Sequence, residues 1–170
     1  PLDTLLDTVK LLKDDPRFLF VFVGGGVRKK DVTEFKIIHK LKNIIQLPFQ
    51  PRENIHNSLG ASDIQVVIMG DNHVGFTHPN KIYGAMYVGK PILYIGPKQS
   101  HVTDIISDLD NNIIAEHGES EFMARELLKF ASLNSIEIGK IGKANFNFVN
   151  SNFSPEVLKR KMLDALLIKD

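Results

Sequence analysis

Gly75 to Pro91, GFTHPNKIYGAMYVGKP, places a loop, a Pro79-Asn80 helix entry and a short helix closed by Gly89 directly before the apolar run Pro91 to Ile95. A loop, a helix and then a buried strand form one turn of an α/β repeat. Pro79 and Asn80 suit a helix entry, where unpaired backbone N–H groups and the positive end of the dipole can receive a diphosphate. Lys81 follows in the first turn, where a cation disfavours the helix and a bound anion would account for it. The plainer reading is that Lys81 is one more solvated lysine.

The same alternation extends in both directions. Leu2, Leu5, Leu6, Val9 and Leu12 recur at helical spacing up to Asp14-Asp15-Pro16, and Phe18 to Val23 is then apolar throughout and bounded by three glycines. The pattern predicts a helix through Val32, Phe35, Ile38 and Leu41, a strand over Asn43 to Leu47, a helix over Pro51 to Ser62 and a strand over Ile64 to Met69. Helix Asn80 to Val88, strand Pro91 to Ile95, helix His101 to Leu109 and strand Asn111 to Ala115 follow. Helices Ser120 to Ser132 and Pro155 to Ile168 close the chain, and the Asn- and Phe-rich stretch Asn145 to Phe153 reads as the joint before the last of them. Five short strands separated by helices specify a doubly wound, Rossmann-like α/β domain, a parallel sheet flanked by helices. Residues 1–150 are assigned to that domain and 151–170 to a C-terminal helix that packs against something else.

With 170 residues and 43% hydrophobic content, one core is expected, burying about two thirds of the unfolded surface. Twenty-one basic against twenty acidic residues leave a net charge of +1, which gives no electrostatic footprint for nucleic acid. The absence of cysteine excludes disulfides, thiolate catalysis and cysteine zinc sites, and fits a reducing, cytoplasmic setting. No apolar run approaches a membrane span, and peripheral membrane association of the full-length protein stays open. The chain enters a helix almost at once after Pro1, as an excised fragment would.

Ligands of doubly wound sheets bind beyond the carboxyl ends of the strands, so the loops Gly24–Arg28, Pro48–Arg52, Gly70–Asn80 and Gly96–His101 carry the candidate site. Gly24, Gly25 and Gly26 would let a phosphate or sugar approach the backbone, or they serve only a tight turn. No third glycine stands in register and no acidic residue closes a following strand, so a nicotinamide site is not expected. Pro48-Phe49-Gln50-Pro51 is a stiff loop that could present main-chain groups to a planar base, or Phe49 simply covers the core. His73, His78 and His101 fall on these loops without the spacing of a metal site. His39 and His56 lie on helices and read as surface residues. No G-x-S-x-G elbow or Walker loop is present, and no carboxylates are paired as hydrolysis or phosphotransfer would need.

Four blocks in order carry a resemblance: PLDTLLDTVKLLKDDPRFLFVFVGGG (1–26), NIIQLPFQPRENI (43–55), ASDIQVVIM (61–69) and HPNKIYGAMYVGKPILYIGP (78–97). Together they resemble the C-terminal, donor-binding domain of the retaining glycosyltransferases of family four. Those enzymes have the two-domain GT-B architecture, and the last block is similar to the variant found in transferases of lipopolysaccharide and capsule assembly. The resemblance implies transfer of a sugar from a nucleotide diphosphate sugar, UDP-sugar among the candidates, with retention at the anomeric carbon and without a metal or other cofactor. The acceptor, a glycan or lipid-linked sugar, would come by way of an N-terminal domain that is missing here. By position, Gly24, Gly25 and Gly26 would border the donor, with Arg28 as a possible replacement cation, and Phe49 and Gln50 would lie near the base. Gly75, Phe76, Thr77, His78 and Asn80 would offer N–H groups to the diphosphate or sugar. Lys81 would contact the phosphates or ribose as the catalytic cation.

Two departures stand out. The family's second glutamate falls at Gly84, and no glutamate occurs between Glu53 and Glu116. The basic pair that neutralises the diphosphate would come just after the domain's first strand, upstream of Pro1. The fragment alone is therefore expected to be inactive. Two other functions stay open: half of a nucleotide-sugar 2-epimerase, and a non-catalytic nucleotide-sugar-binding module.

Overall fold

The computed structural model of the protein describes residues 2–76, 79–110 and 112–167. Thr77, His78, Asn111 and Ile168, on which expectations were placed, lie outside the described residues, as does the His73 side chain. Helix α1 (Asp3–Leu11) leads to strand β1 (Phe20–Val23), α2 (Lys29–Ile38) and β2 (Ile44–Leu47). A short 3-10 turn at Arg52–Asn54 runs into α3 (Ile55–Gly60), followed by β3 (Gln65–Ile68) and another 3-10 turn at Asp71–His73. Then come α4 (Lys81–Tyr87), β4 (Ile92–Ile95), α5 (His101–Ile106), β5 (Ile113–Ala115), α6 (Ser120–Phe130), α7 (Ser135–Phe153) and α8 (Pro155–Leu167). The expected alternation of five strands with helices is present.

β4 explains the double winding. Ile92, Leu93, Tyr94 and Ile95 have no exposed surface, because β3 and β5 flank the strand and helices cover both faces. Leu93 and Ile95 enter one apolar cluster with Leu5, Val9, Met123 and Leu127, whereas Ile92 and Tyr94 enter a second with Ile82, Met86, Val102 and Ile106. Alternate residues thus feed opposite helical layers, as the period of two requires. Each such side chain contributes about 1.5–3 kcal/mol by leaving water.

Two expectations need correction. The strands do not form one sheet: β1 pairs only with β2, and β3, β4 and β5 form a separate ladder, all of the pairings parallel. The hydrophobic pattern specifies buried parallel strands, but it carries no record of which edges meet. The stretch Asn145 to Phe153 is no joint; it is the second half of α7. That helix begins at a capping box in which the Asn134 side chain accepts from the Glu137 N–H and the Glu137 carboxylate accepts from the Asn134 N–H. Ile141, Gly142, Asn145 and Val149 turn its inner face toward the core.

Asn145 is inside by necessity. Fully buried, it exchanges hydrogen bonds with Asn112 at 3.0 Å and donates to the Lys90 carbonyl at 2.9 Å, while the Asn112 Oδ1 accepts from the Ile92 N–H. α7 is thereby fixed to the start of β4, and a residue of low helix propensity sits mid-helix because its amide is satisfied there. Three residues back along the same face, at Gly142, α7 also meets the end of α4, where Gly89 takes a left-handed φ of 64°.

Candidate functional site

The carboxyl ends of the strands open on one side of the molecule, and a cavity of about 1210 Å³ runs along that side and down between β1 and β3. Gly24, Gly26, Arg28, Phe49, Gln50 and Lys81 all line it. Residues from three separate segments are therefore brought to one wall system. Gly25, Gly75, Phe76 and Asn80 are not among its lining residues.

Each segment is placed by packing. β1 ends at Val23 because Gly24 has a φ of 117°, a conformation closed to most side chains, so the chain turns away from the ladder there. β2 delivers Pro48 and Phe49. Phe49 is 79% exposed, which answers the question left by its sequence: it does not cover the core but stands at the mouth of the cavity. Gln50 donates to the Pro48 carbonyl at 3.0 Å, which tightens that loop. Gly75 turns at a φ of 80°, and Phe76 beyond it is 92% exposed.

α4 is held by Ile82, Ala85 and Met86, all without exposed surface, and this fixes the rotation of the helix and with it the position of Lys81. The Lys81 side chain is open to the cavity, yet the surrounding protein crowds it and lowers its ammonium below the ordinary lysine value by desolvation. A side chain in a concave wall can present surface and still be poorly hydrated. Among the described residues no carboxylate pairs with it. Asn80 precedes it in helical conformation and makes no side-chain capping bond.

The other cations nearby differ. Arg28 is paired with Asp31 and lies 3.6 Å from Asp3, and Lys98 is 2.7 Å from Glu116, which raises the lysine's affinity for its proton. Their charges are already answered by carboxylates, although such exposed pairs are worth little in stability. Lys29, which the sequence reading passed over, also lines the cavity and has no ion pair among the described residues. Its place one residue after Arg28, where the glycine loop meets α2, was the available signal.

His117 was also missed. It follows β5 by two residues, on a carboxyl-end loop that the sequence reading did not include. Its Nε2 lies 2.8 Å from the Met69 carbonyl and 3.9 Å from Asp71, while its Nδ1 is buried with no partner among the described residues. Met69, at the end of β3, is thereby tied to the β5 loop. His101 opens α5 and sits 3.8 Å from Asp104, and Ser100 before it forms a capping box with Thr103. His39 lies tilted against the Phe35 ring, 4.3 Å between centroids, and is half-buried, whereas His56 is exposed.

Gly84, where a glutamate was expected from the resemblance, faces α3: a Cβ there would stand 3.3 Å from the Leu59 side chain. Its small size serves the approach of the two helices. Among the described residues no group of three or more His, Asp or Glu side chains could hold a metal ion, and no helix is long and apolar enough to cross a membrane.

Residues 2–145 match the family described as Glycosyl transferases group 1. The chain is 20% identical over 143 residues to the probable glycosyltransferase WbjE of Pseudomonas aeruginosa, covering 84% of this chain and 36% of that protein. Among solved structures, TarM from S. aureus, in complex with fondaparinux, alpha-GlcNAc-glycerol and UDP, superposes with a TM-score of 0.76 at 19% identity over 96% of this chain and 32% of its own. HepE from Anabaena, in complex with UDP and glucose, gives 0.72 at 16% identity over 95% and 44%. WaaG, a glycosyltransferase involved in lipopolysaccharide biosynthesis, gives 0.68 at 12% identity over 99% and 44%. The chain thus spans between a third and a half of the length of these proteins. Its fold is that of a GT-B glycosyltransferase domain, and the chain belongs to the group 1 glycosyl transferases.

Proposed function

We propose that this domain binds the nucleotide diphosphate sugar donor of a retaining hexosyltransferase, at the carboxyl ends of β1 to β3. One observation carries the reading: Lys81, open to the cavity, lowered in proton affinity by the protein around it and without a carboxylate partner among the described residues, shares that cavity with Gly24, Gly26 and the exposed Phe49. A cation held in that state is stabilised by an anion brought to it. In this reading Lys81 and the nearby backbone N–H groups receive the diphosphate, and the Phe49-Gln50 loop meets the base. Thr77 and His78 belong to the same loop in sequence. Negative charge builds on the departing nucleotide diphosphate as the glycosidic bond breaks, and a fixed ammonium in a desolvated cleft stabilises that charge more than the ground state's. The role needs no proton transfer by a side chain and no metal.

Family membership and the UDP complexes of TarM and HepE support the donor assignment. We further propose that residues 1–150 form the donor domain in a cytoplasmic enzyme, and that the segment from 151 carries α8 toward a domain that binds the glycan or lipid-linked acceptor. α8 fits that part, since Leu158, Met162, Leu163, Leu166 and Leu167 are all exposed on it. Gly84 in place of an acidic residue favours, as a second reading, a module that binds the sugar nucleotide without transferring the sugar. Calorimetric titration of the natural full-length polypeptide with UDP- and GDP-sugars, alongside a sugar-transfer assay, tests both. Binding of one nucleotide with turnover is the expected result. Binding without turnover on any acceptor would favour the second reading, and failure of every nucleotide to bind would contradict both.

A further inference from the structure

The far end of α2 carries a surface that the donor cavity does not use. Between Glu34 and Glu53 the chain has no carboxylate, and Lys36, Lys40 and Lys42 stand close together in that stretch. Earlier in the helix the cations are answered: Arg28 pairs with Asp31, and Lys30 lies 3.6 Å from Glu34. Lys36, Lys40 and Lys42 have no ion pair among the described residues, and none of the three lines the cavity.

Ile37 and Ile38 stand between these cations, 69% and 71% exposed. Val32 and Leu41 are buried in the core with Phe35 packed against them, which fixes the rotation of α2 and keeps both isoleucines outside. Adjacent helix positions point about 100° apart, so the two side chains spread around the end of the helix. The turn that follows has a further mark. The Leu41 N–H donates to the Lys36 carbonyl at 3.0 Å and the Lys40 N–H to the Ile37 carbonyl at 3.2 Å, the bond pair that closes a helix through a left-handed residue. That residue is Lys40, with a φ of 51°, the one non-glycine residue of positive φ among the described residues. Glycine is the usual occupant, because it lacks the Cβ that this region disfavours. A lysine there carries a conformational cost that glycine would not, which points to a use for its side chain. The negative end of the helix dipole accounts for a cation at this place, but not for two bare isoleucines among cations.

Charge and apolarity together select the partner. A second copy of the chain would set lysines against lysines. A nucleic acid would answer the lysines with phosphates but would offer the isoleucines nothing apolar. An anionic bilayer answers both, since its headgroups attract ammonium groups and the boundary of its acyl region takes apolar side chains. We propose that the end of α2, through Lys36, Ile37, Ile38, Lys40 and Lys42, docks the protein on an anionic lipid surface. The docking surface is separate from the donor cavity and does not depend on the donor role.

Partition of the natural full-length polypeptide onto phosphatidylcholine vesicles containing about 30% phosphatidylglycerol tests the docking, because anionic lipid sets the attraction. Binding is expected on these vesicles, weaker by far on phosphatidylcholine alone, and weakened by about 1 M salt, which screens charges beyond roughly 3 Å. Lys40→Glu combined with Lys42→Glu is expected to lower the partition coefficient on the order of twentyfold, about fivefold for each cation removed from the surface. Ile37→Ser combined with Ile38→Ser is expected to lower it on the order of tenfold through the lost apolar insertion. Lys140→Glu combined with Lys143→Glu, on the exposed side of α7, makes the same change in net charge and is expected to stay within about twofold of the parent. All six positions are exposed, so the urea midpoints of the three variants should match the parent's and exclude unfolding as the cause. Failure of the parent to bind the anionic vesicles would overturn the proposal, and binding of polyglutamate in their place would assign the surface to an acidic protein. Unchanged binding in both α2 variants would also overturn it, and so would an equal loss in the α7 variant, which would show a response to net charge alone.

Discussion

Replacing Gly142 by valine is expected to lower stability by about 3 kcal/mol or more, at the upper end for overpacking a core. A Cβ at this position would fall onto the carbonyl of Gly89, and that carbonyl belongs to the left-handed turn closing α4, where Gly89 itself has a φ of 64°. A flexible side chain could yield; a backbone oxygen at a helix end cannot move without shifting α4 or α7. Gly89 in turn approaches the Gly142 carbonyl at 3.6 Å from its own notional Cβ, so two glycines facing each other set the distance between the helices. Gly139, one turn earlier on α7, provides the contrast: nothing lies within 4 Å of its notional Cβ, and Gly139→Ala is expected to stabilise by about 0.5–1 kcal/mol through helix propensity. Urea unfolding of the three proteins measures both. Opposite signs are expected within one turn of one helix, and Gly142→Val within 0.5 kcal/mol of the parent, roughly the error of a neutral surface change, would mean that the contact between α4 and α7 is not rigid.

The second large effect concerns the site. Lys81→Ala is expected to weaken diphosphate-containing ligands by about 1–3 kcal/mol, five- to over a hundredfold in Kd, the range for losing a charge-assisted contact in a poorly hydrated place. A nucleoside lacking phosphates should bind nearly as before, because in the proposed site only the diphosphate meets the ammonium. Stability should respond in the opposite sense. Desolvation lowers the lysine's proton affinity in the folded state, so the charged form opposes folding at every pH below the unfolded value of about 10.4. Lys81→Met, which keeps the aliphatic length, should therefore unfold at no lower urea concentration than the parent at pH 7. Equal loss of nucleoside and nucleotide binding in Lys81→Ala would show that the lysine acts through the shape of α4 rather than its charge.

The fold was legible wherever burial is recorded locally. β4 announces itself as four consecutive apolar residues between Pro91 and Gly96, and α1 as leucines at helical spacing ahead of Pro16. α7 was half hidden because Asn145 and its neighbours carry low helix propensity, while the partner that satisfies Asn145, Asn112, lies far away in sequence. The capping pair Asn134 and Glu137, with Ile138 and Ile141 after it, was the signal that could have revealed the helix. The split into two ladders could not be read at all, since strand adjacency is decided by contacts across the whole chain. At the site, the sequence marked Lys81, the glycine turn and Phe49 as separate features; only the packing of Ile82, Ala85 and Met86 brings the first to the cavity that holds the others. Lys29 and His117 were passed over because neither belongs to a spaced motif, and their relevance comes from where β1 and β5 end.

In the proposed site, the cleft beyond β1, β2 and β3 receives a nucleotide diphosphate at Lys81. Amide and lysine-side-chain resonances of the isotopically labelled natural polypeptide, followed through a titration with UDP, test it most directly. Saturable shifts confined to the Gly24–Gly26 turn, the Phe49-Gln50 loop and the start of α4 are expected, with the Lys81 ammonium moving back toward the ordinary lysine value as the diphosphate arrives. Shifts that cluster elsewhere, or a Lys81 signal that stays unmoved while UDP binds, would contradict it.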